Sequence, residues 1–123
     1  MLRIIIADDH SGVREGIRQM LLEEFPSAYL EEAEDATSLI EKALGGTWDL
    51  VISDLVMPGG SGLEALKEIK KVKSTLPVLI ISTYPADQYK NRVLQAGADD
   101  FISKDTFPSF LLNAVHRVLN NPV

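Results

Sequence analysis

The chain has 123 residues, 46 % apolar and 24 % charged, which suits one globular domain large enough to bury a proper core. Its net charge of −6 argues against direct binding to a nucleic-acid backbone or to an anionic membrane surface, both of which call for a basic face. It has no cysteine, which excludes disulfides and thiolate metal sites, and no run approaches the length of a membrane span, so a cytoplasmic location is expected.

Short apolar runs alternate with helix-period segments five times, a pattern of a parallel sheet covered by helices on both faces. The first strand is read near Arg3–Ala7; the apolar start is too short for a signal peptide and runs at once into Asp8-Asp9. Helix one follows with Val13, Ile17, Met20 and Leu21 on one face, and Pro26 closes it. Strand two is near Tyr29–Ala33. Asp35 is an N-cap for helix two, whose apolar face is Ala36, Leu39, Ile40, Ala43 and Leu44, ended by Gly45-Gly46. Strand three spans Asp49–Ser53, and Ser61-Gly62-Leu63-Glu64 reads as a capping box opening helix three. Strand four is Val78–Ser82. Helix four, roughly Ala86–Ala96, has the weakest apolar face (Tyr89, Val93, Ala96), with Gly97 as its C′ residue. Strand five is near Asp100–Ser103, and helix five carries a stripe of Phe110, Leu111, Ala114, Val115, Val118 and Leu119. Near-continuous apolar runs such as Val78-Leu79-Ile80-Ile81 fit strands buried on both faces.

The chemistry sits at the strand ends. Ile4–Ala7 runs into Asp8-Asp9, Leu50–Ser53 into Asp54, and Phe101–Ser103 into Lys104. If these runs are parallel neighbours, three carboxylates and one ammonium meet at the carboxyl edge, where open α/β sheets place their sites. Like charges raise the cost of ionising one another, and a hard divalent cation with oxygen ligands, such as Mg²⁺, would relieve it. Each residue also has a plainer reading. Acids are favoured at a helix N-terminus, an Asp before Pro58-Gly59 forms turns, and most lysines are solvated.

The acidic pair Asp8-Asp9, the segment Asp54-Leu55-Val56-Met57-Pro58-Gly59 followed by Gly62, the hydroxyl of Ser82 and the pair Phe101/Lys104 together resemble the receiver domain of two-component response regulators. The match covers nearly the whole chain. Asp8-Asp9-His10 with Val13-Arg14-Glu15-Gly16 looks like the NarL/LuxR-type subgroup. The resemblance implies a flavodoxin-like (CheY-like), doubly wound α/β fold, with five parallel strands in the order 2-1-3-4-5 and five helices on both faces. Residues 1–123 would be one receiver domain with no output domain of their own. The subgroup usually carries a helix-turn-helix DNA-binding domain after the receiver, so the chain is either the receiver part of such a longer protein, with that domain C-terminal to it, or a stand-alone receiver.

By the same resemblance, Asp54 takes a phosphoryl group from a sensor histidine kinase. Asp9, Asp54 and the Val56 carbonyl ligate Mg²⁺ (or Mn²⁺), with Asp8 acting through water. Lys104 pairs with Asp54 at rest and with a phosphoryl oxygen afterwards. Ser82, preferred to Thr83, donates to another phosphoryl oxygen, and Phe101 is the switch aromatic. Val56 and Tyr84 occupy the positions that set the lifetime of the phosphorylated state; neither orients water well, so self-dephosphorylation is expected to be slow. His10, beside the acids, is assigned a local structural role rather than a metal-ligand role, His116 a solvated position, and Trp48 packing. The family often has proline after the lysine; here Asp105 follows, and a non-proline cis bond costs about 3 kcal/mol, so a trans bond is expected.

The output is then a changed binding surface on helix four, strand five and helix five, with a possible homodimer, no direct nucleic-acid contact and no membrane. Other classes fit less well. A phosphatase with an aspartyl nucleophile would carry Asp-x-Asp on its first strand, whereas Asp8-Asp9 are adjacent. An FMN binder would need a phosphate loop where Asp8-Asp9 would repel the ligand. A receiver that binds partners without phosphorylation would not need the full acid set.

Overall fold

The computed structural model describes residues 1–58, 60–83, 86–104 and 107–120, the side chains at 86, 87, 107 and 120 excepted. In chain order the elements are β1 (Arg3–Ala7), α1 (Ser11–Glu24), β2 (Tyr29–Ala33), α2 (Ala36–Gly45), β3 (Leu50–Asp54), β4 (Val56–Met57), β5 (Gly60–Ser61), α3 (Gly62–Val72), β6 (Val78–Ser82), α4 (Ala86–Gln95), β7 (Asp100–Ser103) and α5 (Phe107–Asn120). One five-stranded parallel sheet runs β2-β1-β3-β6-β7, and β4 and β5 form a small antiparallel hairpin beside it. Counting only the sheet strands, the order is the expected 2-1-3-4-5.

Strand alternation builds two cores. Ile5, Val51, Val78 and Ile80 face one side with Leu39 of α2, Leu66 and Ile69 of α3 and Val93 of α4. Ile4, Ile6, Leu50, Ile52, Leu79 and Ile81 face the other, with Ile17 and Leu21 of α1 and Leu111 and Val115 of α5. Because both faces are covered, every residue of β3 and β6 is buried, which is why those runs carry no polar alternation.

Local signals start and stop the helices. Asp35 accepts from the Ser38 N–H at 2.7 Å, and the Ser61 hydroxyl accepts from the Glu64 N–H at 3.0 Å. At the end of α4, Gly97 takes φ +113°, with Gly97 N–H bonded to Leu94 O and Ala98 N–H to Val93 O, a Schellman close.

The structure adjusts four expectations. Strand β3 is shifted one residue, because Asp49 is spent on β1: its N–H donates to Arg3 O and its Oδ2 accepts from Arg3 N–H. Phe110, read into the α5 stripe, is 54 % exposed, and Leu44 of α2 is also exposed; each lies at the edge of its helix's buried face. His116 is not merely solvated: its Nε2 pairs with Glu24 at the end of α1 and its ring packs against Phe25. Trp48 does more than pack, since its Nε1–H donates to Lys42 O at 2.8 Å and its ring stacks on Tyr29. Tyr84 and the Lys104–Asp105 bond lie outside the described residues.

Candidate functional site

The strand order reverses between β1 and β3, which leaves a crevice beyond their carboxyl ends. Asp8 follows β1 directly and Asp54 ends β3. Parallel register sets Ala7 beside Ser53, so the two acids emerge side by side. Across β6, Ser82 pairs with Ser103, and the Lys104 N–H donates to Ser82 O at 2.7 Å, so β7 delivers Lys104 to the same edge.

The side chains converge. The Lys104 ammonium lies 2.8 Å from Asp8 Oδ2 and 3.0 Å from Asp54 Oδ2, and all three side chains are buried. The Asp54 contact is an aligned hydrogen bond. The Asp8 contact is charge pairing without that alignment, and no aligned donor reaches Asp8 Oδ2 among the described residues. Asp8, Asp9, His10 and Asp54 each present a ligand atom, all within 4.8 Å of one another, with Asp9 and His10 on the solvent side. His10 Nδ1 lies 2.9 Å from Asp8 Oδ1 and 3.2 Å from Asp9 Oδ1. The imidazole is thus tied to the acid pair itself, more intimately than its sequence position alone suggested.

Electrostatics record the crowding. Burial pushes the Asp54 carboxyl above the usual carboxylate range. The Lys104 hydrogen bond pulls it down, the nearby Asp8 charge pushes it up, and a backbone hydrogen bond from Val56 pulls it down; burial wins. For Lys104, burial alone would lower the pKa, but its close contacts with the Asp8 and Asp54 carboxylates and their negative charge outweigh it, and the ammonium is held above its ordinary value. One ammonium therefore serves two buried carboxylates, with a third acid at the rim. That donor set of carboxylate oxygens fits a hard divalent cation.

The surrounding backbone is shaped for this edge. Val56 opens the hairpin after Asp54 and is 49 % exposed. Gly62 comes so close to β3 that a Cβ there would sit 2.0 Å from the Asp54 carbonyl oxygen. Ser82 is buried at the end of β6, while Thr83 is exposed. Phe101 is buried in the same apolar cluster as Val93, the one fully buried residue among the described side chains of α4.

Sequence reasoning missed one pairing and one contributor. Lys104 was expected to answer Asp54; its pairing with Asp8 follows from the side-by-side register, which motif spacing does not reveal. Arg14 was read only as part of a subgroup motif. It is buried, donating to the Asp8 carbonyl and to Glu32, and its spacing of three and seven from Ile17 and Leu21 was the available signal.

Residues 4–116 match the family model of the response regulator receiver domain. The glycerol metabolism activator of Pseudomonas putida is 38 % identical over 129 residues, covering 100 % of this chain and 56 % of that protein. Among solved structures, a LuxR-family two-component response regulator from Aurantimonas superposes with TM-score 0.86 at 32 % identity, covering 95 % of this chain and 84 % of the other. The response regulator TrrA of Thermotoga maritima, solved with Mg²⁺ and BeF, gives TM-score 0.86 at 32 % identity, covering 97 % and 100 %. The chain spans about half the length of the curated relatives it matches. On the ordered motifs, the fold and the match over nearly all its length, this chain belongs to the response regulator receiver domain family.

Proposed function

We propose that this chain is a phosphorylation-controlled signalling domain in which Asp54 accepts a phosphoryl group from a sensor histidine kinase. The observation that carries the reading is the shared ammonium: Lys104 lies within 3.0 Å of both Asp8 and Asp54, at the end of a sheet that has no other reason to bury those acids together. In the transfer, an Asp54 carboxylate oxygen forms the new bond to phosphorus as the phosphorus–nitrogen bond of the kinase's phosphohistidine breaks, and the imidazole leaves with the electron pair.

This chain's residues divide the remaining work. Lys104 neutralises Asp54 before transfer and a phosphoryl oxygen after it. The Ser82 hydroxyl donates to another phosphoryl oxygen. Asp9, Asp54 and the Val56 carbonyl would hold Mg²⁺ (or Mn²⁺), with Asp8 reaching it through water, and the cation when bound neutralises charge on the transferring group. Val56, exposed at the rim, leaves no side-chain amide or carboxylate there to direct water, which favours slow loss of phosphate. Phe101 shares a cluster with α4, whose single fully buried described side chain makes that helix the least anchored, and the pair form the element that switches.

The output follows the subgroup resemblance: a receiver that drives a C-terminal helix-turn-helix domain in the full-length protein, through a dimer or partner surface on α4, β7 and α5. The domain acts on itself and does not turn over a free substrate. The test is intact mass after incubation with Mg²⁺ and a small-molecule phosphoryl donor. One added phosphoryl group is expected, absent in Asp54→Asn and absent with a chelator. A label that persists in Asp54→Asn, or multiple turnover of a free substrate, would overturn the reading.

A further inference from the structure

Among the described residues the buried polar or charged ones are Asp8, Arg14, Ser53, Asp54 and Ser82. Four stand at the carboxyl ends of strands and enter the site directly or border it; Arg14 alone comes from a helix. A buried guanidinium is unfavourable unless its directional bonds serve something, and an apolar residue at 14 would simply extend the buried face of Ile17 and Leu21. Arg14 Nη1 donates to the Asp8 carbonyl oxygen at 2.6 Å, and its Nε donates to Glu32 Oε1 at 2.8 Å. Glu32 lies on β2, directly beside Ile6 of β1. One side chain of α1 thus grips both the acid loop and the strand next to it.

The peptide it grips joins Asp8 to Asp9. Asp8 N–H also donates to Ala33 O at 3.1 Å, but the other contacts of that loop, from the His10 N–H and Nδ1 and from the Lys104 ammonium, go to the Asp8 and Asp9 carboxylates rather than to the peptide, and no side chain caps α1. We infer that Arg14, backed by Glu32, is the positioning residue of the divalent-cation site, holding the Asp8–Asp9 peptide so that both carboxylates face Asp54. This rests on the cation-binding reading above. It acts against Arg14's own charge, because a nearby positive charge by itself opposes binding of a dication. Charge and positioning therefore make opposite demands, and the sign of one measurement separates them.

The experiment is titration of the chain with Mn²⁺ by isothermal calorimetry, well below the unfolding midpoint of each variant, with that midpoint measured alongside. Arg14→Met is expected to bind Mn²⁺ about tenfold more weakly than wild type, although it has lost a positive charge. Arg14→Lys keeps the charge but not the fork, and is expected to recover less than half of that loss. Glu32→Ala and Glu32→Gln match in charge and differ in whether Nε keeps an acceptor; Ala is expected to bind more weakly than Gln, and this pair carries the test if Arg14→Met does not fold. Unchanged or tighter binding in Arg14→Met, with only a lowered midpoint, would make Arg14 structural and overturn the inference while leaving the cation reading intact. No Mn²⁺ binding by wild type would overturn both.

Discussion

At the amino end of the sheet, the Arg3 guanidinium lies 4.6 Å from the centre of the Tyr29 ring and 5.0 Å from that of Trp48, while its Nε donates to Thr47 O. Nearby, the Lys73 ammonium donates to the Ala43 and Gly46 carbonyls at the end of α2. Each cation there has ring faces or carbonyl dipoles of its own. At the carboxyl end, Lys104 is divided between two buried carboxylates, and Asp8 Oδ2 has no aligned donor among the described residues. The same sheet carries both ends, so the fold does not force the imbalance. Closed networks hold the frame, and the open network is where an added cation or phosphoryl group has something to complete.

The contrast is broken most severely at Gly62. Gly62→Ala would drive a Cβ to 2.0 Å from the Asp54 carbonyl oxygen, backbone that cannot swing aside. A loss of about 4 kcal/mol in chemical denaturation, or failure to fold, is expected.

Next is Lys104→Met, which leaves Asp8 and Asp54 facing each other without a cation. About 3 kcal/mol of stability at neutral pH should be lost. The loss should shrink in acid, as the carboxyls take up protons, and should also shrink when Mg²⁺ is added. In wild type the raised Lys104 pKa means its contribution is complete below the unfolded lysine value and is lost as pH rises through the folded value, on the alkaline side. Denaturant midpoints across pH for both proteins check each limb.

Asp54→Asn should move the other way. Because the folded pKa of Asp54 is raised, folding favours its protonated form. That favourable contribution is present below the unfolded carboxyl value and disappears as pH rises through the folded value. At neutral pH the ionised group is a burden that the amide removes, so Asp54→Asn should melt a few degrees higher than wild type, with the gap closing in acid.

The smallest effect is expected at the satisfied end. Trp48→Phe strips the Lys42 carbonyl of its indole donor and should cost about 1 kcal/mol, with the Mg²⁺ response unchanged. A changed Mg²⁺ response in this variant would mean that the two ends are coupled through the sheet.

Much of this was legible in the letters. Apolar runs that stop in Asp8 and Asp54 declare both the strand and its carboxyl end, and parallel order carries them together. Ser61 and Asp35 announce their helices because a capping hydrogen bond is local. What the sequence withheld depends on contacts between distant elements. The bond from Arg14 to the Asp8 carbonyl needs α1 already docked on β1, and the Arg3 cluster needs three strand starts side by side. The β4–β5 hairpin leaves no mark in the letters, because two-residue strands have no periodicity to see. Phe110 shows the reverse limit: helical spacing places a residue near a face, but only the packed sheet decides where that face ends.

If the carboxyl edge is a charge-unbalanced pocket that a hard cation completes, Mg²⁺ must stabilise the fold. Thermal unfolding of wild type against increasing Mg²⁺, beside Lys104→Met and Trp48→Phe, tests it directly. The wild-type midpoint should climb with the logarithm of Mg²⁺ concentration once the site begins to fill, with the climb starting at a lower concentration in Lys104→Met and at the same concentration in Trp48→Phe. A wild-type midpoint indifferent to Mg²⁺ would contradict it.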